Sequence, residues 1–206
     1  MLWRERFAGI IGLKISKGEI KFSMALLTAS IIGSYFIMNA IAAKSLVKIQ
    51  FIAYQNFIHD MFYTLNEELV IGAILLSITA RKIRISPIYI SIGTAVVFSA
   101  LHFIFYKWIF DIKGIIQPTA LITLFFAGVM RNNLIITAKH IGYAWALHFS
   151  WIAVMLGTDH FFTETGIRLS EPDRFNLYLG SGGMLITSIV LAGLSVWLYK
   201  RNIQTG

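Results

Sequence analysis

Residues 66–75 read NEELVIGAIL. Two adjacent carboxylates, Glu67 and Glu68, stand at the head of an apolar run. An ionised side chain near a bilayer centre costs on the order of 3 kcal/mol on insertion scales, so acids inside a membrane face the protein interior and mark a function. If this run crosses a membrane, the chain is a helical bundle built around buried acids. The rest of the sequence says that it does cross. Of 206 residues, 57% are hydrophobic and 14% charged, and the mean hydropathy is +0.71, more apolar surface than a soluble domain can hide. The length suits one bundle of several spans and leaves no room for a large soluble domain, so residues 1–206 are expected to form a single membrane domain.

Cysteine is absent, which excludes thiol nucleophiles, disulfides and thiolate metal sites. Chemistry must come from His, Asp, Glu, Ser, Thr or the backbone. A net charge of +8 raises the question of nucleic acid, but no long basic run with interleaved aromatics is present. The basic residues cluster at span ends, so the charge is read as membrane topology and no nucleic-acid partner is expected.

Working outward from Glu67, the composition predicts an all-α polytopic fold of about six transmembrane helices plus an interfacial N-terminal helix over residues 1–21, whose five basic residues surround a short apolar centre. The expected spans are Phe22 to Ala43, Tyr63 to Ala80, Ile88 to Tyr106, a short one from Pro118 to Met130, Asn133 to Leu156, and a last one over residues 177–199. Residues 44–62 read as an interfacial helix or a helical lead-in, and residues 157–176 as a polar loop. Twelve of the Lys and Arg residues, among them Arg81, Lys82, Arg131, Lys139 and Lys200, fall on one side of this arrangement and six, including Lys44 and Arg174, on the other. The bias places both termini on the cytoplasmic side, in an integral protein of a prokaryotic cytoplasmic membrane.

In this arrangement Glu67 and Glu68 enter span two from the side at which span three ends near His102 and span five ends near His148. At about 1.5 Å rise per residue, the four groups fall in one leaflet. Acids and imidazoles facing one another around a buried water would make a hydrolytic site, because burial raises a carboxylate pKa toward the range of a useful general base. The plainer alternative is that each is a satisfied interior residue, or that the acids sit solvated at the interface.

The strings around these groups are EELVIG, FSALH and HFSWI. They resemble the CPBP family of intramembrane proteases, which includes the CAAX prenyl proteases and bacteriocin-processing proteins, and whose signatures EExxxR, FxxxH and HxxxN lie on three membrane helices in that order. The resemblance covers residues 60 to 156. It implies catalytic roles for Glu67, Glu68, His102 and His148: Glu67 activates a water together with the two histidines, and Glu68 supports the site. Phe98, four residues before His102, would wall the pocket beside it, and Trp151 would shape a substrate groove. This chain departs from the pattern twice, with Gly72 where the family has Arg and Ile152 where it has Asn. The Asn amide would be a candidate donor to an oxyanion, a contribution worth about 3 kcal/mol in other hydrolases. Ser150, Asn66 and His59 are nearby residues that would have to compensate.

The implied partners are a peptide or protein substrate and membrane lipid. No cofactor is expected; Glu, His and His also form the ligand set of some zinc hydrolases, but the HExxH spacing is absent. His59, Tyr63 and Glu67 share a helix face and would either relay protons or form a solvated stripe. GSGG, residues 180–183, lacks the context of a phosphate loop and suits close helix packing or a kink. Arg131 and Lys139 read as topology anchors, Trp145 as core, and His140 as interfacial. Two rival functions remain: a non-catalytic membrane scaffold of the same fold, like the scaffold subunit of the presenilin complex, favoured by Gly72 and Ile152, and a small proton-coupled carrier, disfavoured by the absence of an internal repeat.

Overall fold

Ser16 stops the incoming chain in extended backbone and caps the first helix. Its hydroxyl accepts from the Glu19 amide while the Glu19 carboxylate accepts from the Ser16 amide, a reciprocal pair that satisfies two orphan donors. From there α1 runs Lys17–Lys44. A computed structural model describes residues 12–50, 54–104, 116–155, 160–163 and 169–205. The predicted interfacial helix 1–21 lies outside these for residues 1–11, and its last five residues are the first turns of α1. Residues 105–106 and 156, the predicted ends of spans three and five, also lie outside.

After α1 the chain forms a strand, β1 (Val47–Gln50), where a helical lead-in was expected. It pairs antiparallel with β2 (His160–Thr163), Val47 opposite Thr163, tying the end of the first helix to the segment expected as a polar loop. The next rod has three parts: α2 (Tyr54–Glu67), a π-helical segment Glu68–Leu75, and α3 (Leu76–Lys82). A π-helical stretch inside a helix is rare and concentrates at functional sites; here it begins at Glu68.

Pro87 and Pro118 each occupy the first position of their helices, α4 (Pro87–Ile104) and α5 (Pro118–Ala138), where the missing amide proton costs nothing. The sequence expectation fails most clearly at α5. The sequence predicts a break at the polar run Arg131-Asn132-Asn133, between a short fourth span and a fifth beginning at Asn133. Instead α5 continues to Ala138, and the chain turns at Lys139, which caps it with a left-handed backbone (φ 60°). The polar run stays helical because the amides of Asn132 and Asn133 find partners on neighbouring helices. Asn132 Nδ2 donates to Ser91 O and Thr94 Oγ1 of α4, both at 2.8 Å. Asn133 Nδ2 donates to Ser195 Oγ at 3.1 Å, in the last helix. The shorter α6 then covers Gly142–Met155, followed by α7 (Glu171–Leu179), capped by Ser170, and α8 (Gly182–Thr205).

Helix α5 is the axis of the bundle, packed along both α4 and α8, while α6 lies between α1 and α2 and also touches α5. The main core joins Phe98, Leu124, Val129 and Met130 with Leu147, Trp151, Phe175 and Met184. Among the described residues, α1, α4, α5 and residues 182–201 of α8 are long and apolar enough to cross a bilayer. Large apolar side chains such as Phe36, Val96, Ile186 and Trp197 point outward on them, as a lipid-facing surface requires.

Candidate functional site

The two acids leave their helix in different directions. Adjacent residues on a helix point about 100° apart, and each acid meets a different histidine. Glu68 is fully buried and accepts from His148 Nδ1 at 2.8 Å, reaching α6. Glu67 Oε1 lies 3.7 Å from His102 Nε2 on α4. All four predicted catalytic residues therefore meet where the junction of α2 with the π-helical segment faces α4 and α6.

The hydrogen bonds settle the tautomers. A carbonyl oxygen only accepts, so the 2.9 Å contact between His102 Nδ1 and Phe98 O makes Nδ1 the donor. In neutral His102 this leaves a lone pair on Nε2, facing a carboxylate oxygen. Two acceptors cannot bond each other, but a water can donate to both and turn its own lone pairs outward. His148 likewise spends Nδ1–H on Glu68, the arrangement by which a carboxylate fixes the orientation of a working imidazole.

Phe98 is the floor of the site. Its ring stands edge to face with His102, centroids 4.5 Å apart, and 6.3 Å from that of His148. Phe98, His102 and His148 line a cavity of about 40 Å³ with Leu124, Ala127, Met130, Trp151, Ile152 and Met155 among its walls. One water needs roughly 10–15 Å³ by this measure, so there is room for about three. Trp151 and Phe98, the two residues expected to meet a substrate, both line this cavity, and Ile152 gives it an alkyl wall.

The residue that sequence reasoning missed is Arg131. Taken as a surface anchor, it is 3% exposed and lines the same cavity. Its guanidinium carbon stacks 4.1 Å above the centroid of Phe98, its Nε lies 3.9 Å from Glu68 Oε2, and its Nε and Nη2 donate to Asn132 Oδ1 at 3.3 and 3.2 Å. A cation paired with Glu68 is therefore present, supplied by α5 instead of the acids' own helix. Gly72 leaves the Glu68 carboxylate its space. A Cβ there would lie 2.8 Å from Glu68 Oε2 and 3.0 Å from Ile135 Cδ1, so the buried carboxylate occupies the space a side chain at position 72 would take. The only signal in the sequence was Arg131 itself, a cation directly followed by two amides in an apolar run.

The residues named as compensators are not brought to the site. Ser150 Oγ donates to Leu147 O and bonds Ser30 Oγ at 2.6 Å, toward α1. Asn66 is exposed, and the His59 side chain is 78% exposed beside Asp60. His59 and Tyr63 stack on the outer face. Trp145 stacks on Phe149 and its indole donates to Met61 O. His140, expected at an interface, is buried at the α5–α6 joint, where its Nδ1 accepts from the Gly142 amide at 3.1 Å and its Nε2 lies 3.6 Å from Glu19. Of the GSGG run, Gly180 ends α7, whereas Gly182 and Gly183 face open space. Among the described residues, no group of three metal-ligating side chains converges.

Comparison with known families, curated proteins and solved structures finds no match to this chain.

Proposed function

We propose that the chain is an intramembrane peptidase that hydrolyses a bond in a hydrophobic or membrane-associated polypeptide with a water activated by Glu67. The observation that carries this is the pair of facing acceptors, Glu67 Oε1 and His102 Nε2 at 3.7 Å, of which His102 lines a cavity large enough for water. A water donating to both presents its oxygen to a carbonyl carbon. As the C–O bond forms, the water's proton passes to Glu67 and the carbonyl electron pair moves onto oxygen. Collapse of that intermediate breaks the C–N bond, and the proton on Glu67 goes to the departing amine, leaving a carboxylic acid and an amine. His148, held by Glu68 through Nδ1, lines the same cavity and orients the substrate. The apolar walls formed by Leu124, Trp151, Ile152 and Met155 suit an apolar peptide segment. The likeness of EELVIG, FSALH and HFSWI to the CPBP signatures supports the same chemistry.

In this proposal the rod Tyr54–Lys82, about 40 Å long at 1.5 Å per residue, and α6 join the four apolar helices to give six membrane segments. Both termini are then cytoplasmic in a prokaryotic membrane, a charge bias that keeps its sign without the buried Arg131. The test is a co-expressed candidate substrate: Glu67→Gln, His102→Ala and His148→Ala each abolish its cleavage while the protein still accumulates in the membrane. Full cleavage by all three variants would overturn the proposal.

A second function has one specific observation in its favour. Ile152 lines the cavity where an amide donor belongs in the family pattern, which fits a non-catalytic scaffold that binds a membrane peptide. That function predicts binding of the partner unaffected by Glu67→Gln.

A further inference from the structure

The Arg131 guanidinium has one nitrogen to spare. Nε and Nη2 are spent on Asn132, Nε also faces Glu68, and Nη1 is buried without a hydrogen-bond partner. A buried, unpaired N–H on a cation is costly, so a group that would complete it binds there with advantage. Nothing about this nitrogen is loose. The planar group is clamped between the face of Phe98 and the amide of Asn132, which is itself tied to α4 through Ser91 and Thr94. The side chain lines the cavity with His102 and His148. It is a fixed, unspent donor on a residue that lines the cavity.

We infer that Arg131 is the oxyanion donor of this site, its Nη1–H taking the place of the amide that Ile152 cannot supply. The inference rests on the peptidase function proposed above. Charge favours an oxyanion over a substrate carboxylate. In the resting site Glu68 already faces the guanidinium and a second acid, Glu67, stands beside His102, so a further permanent anion would bring another negative charge to a site that already holds two acids and one guanidinium. During attack Glu67 takes up the proton of the water, and the negative charge it loses reappears on the carbonyl oxygen. The total is conserved, and Arg131 then meets an anion without a new one having entered. A preorganised donor of this kind contributes about 10²–10³ in kcat.

The test uses the full chain in lipid nanodiscs with a quenched-fluorescent library of apolar peptides, and a phosphinate analogue of whichever peptide is cleaved. Arg131→Lys keeps the positive charge beside Glu68 but loses the planar fork and its second nitrogen. The expected result is kcat down by about 10²–10³, KM and melting temperature near wild type, and phosphinate affinity falling in step with kcat/KM while affinity for the parent peptide is retained. In Arg131→Gly, added guanidinium restores part of the rate. If Arg131→Lys turns over like wild type, or loses phosphinate and peptide affinity equally, Arg131 is only a counter-charge and the inference falls with the peptidase function intact. If wild type and Glu67→Gln are equally inactive across the library, the peptidase function itself falls and takes the inference with it.

Discussion

Gly72 shows how much a missing side chain can decide. Position 72 lies four residues after Glu68, so on a helix the two share a face, and the Glu68 carboxylate folds back into the space that a Cβ at 72 would occupy. Gly72→Ala is expected to push the carboxylate off His148. Overpacking a filled interior costs about 1–3 kcal/mol, and with the Glu68–His148 bond broken the activity should fall with it. Melting temperature and cleavage rate measured on the same preparation check this: an alanine variant with both values unchanged would show that Glu68 has somewhere else to go. The acids, the histidines and Phe98 were recognisable from sequence as residue types at family spacing. That Glu68 binds His148 while Glu67 faces His102 was not, because the split depends on the angle at which the π-helical segment meets α4 and α6.

The joint between α5 and α6 depends on a neutral histidine. His140 Nδ1 accepts from the Gly142 amide, so protonating it would set two donors against each other. Burial holds the His140 pKa below its ordinary value, with the nearby Glu19 carboxylate opposing that shift and Tyr143 packed on the ring. As pH falls, the unfolded chain takes up this proton first, near the ordinary histidine value of about 6.5, and the folded chain only at lower pH. The joint's contribution is therefore whole above about pH 6.5 and is lost as pH falls through the folded pKa. His140→Asn keeps an acceptor near Nδ1 and does not titrate. Between about pH 7.5 and 5.5 the wild-type melting temperature in nanodiscs should fall by more than that of the asparagine variant; parallel curves would remove His140 as the cause. The same joint is where sequence reasoning misplaced an element boundary. A run of Arg and two Asn in an apolar stretch signals a helix end when helices are considered one at a time. Here the partners on α4 and α8 satisfy the amides, and the helix stops seven residues later than Asn132, at Lys139.

For the molecule as a whole, Glu68 and Arg131 pose the question of whether buried charge supports the fold or only the site. Their contact is loose, 3.9 Å, and both are desolvated. Removing one partner of a buried pair typically costs about 3–5 kcal/mol, whereas replacing both with apolar residues is often neutral. Arg131→Leu alone is therefore expected to unfold at markedly lower temperature, and Glu68→Leu together with Arg131→Leu to regain most of that loss while remaining inactive. A double variant less stable than Arg131→Leu would mean that the pair holds the bundle together. Since His148 also loses its acceptor in that variant, a residual deficit of about 1–3 kcal/mol, the cost of leaving a buried donor unpaired, is anticipated.

Membrane character, helical class and the alignment of two acids with two histidines follow from composition and spacing, because lipid demands long apolar helices and penalises stray charge whatever the packing. The end of α5, the β-ribbon between residues 47–50 and 160–163, and the burial of Arg131 were decided by tertiary contacts. Whether a polar group in an apolar run ends a helix or completes a site depends on a partner far along the chain, and periodicity along one segment carries no information about that partner.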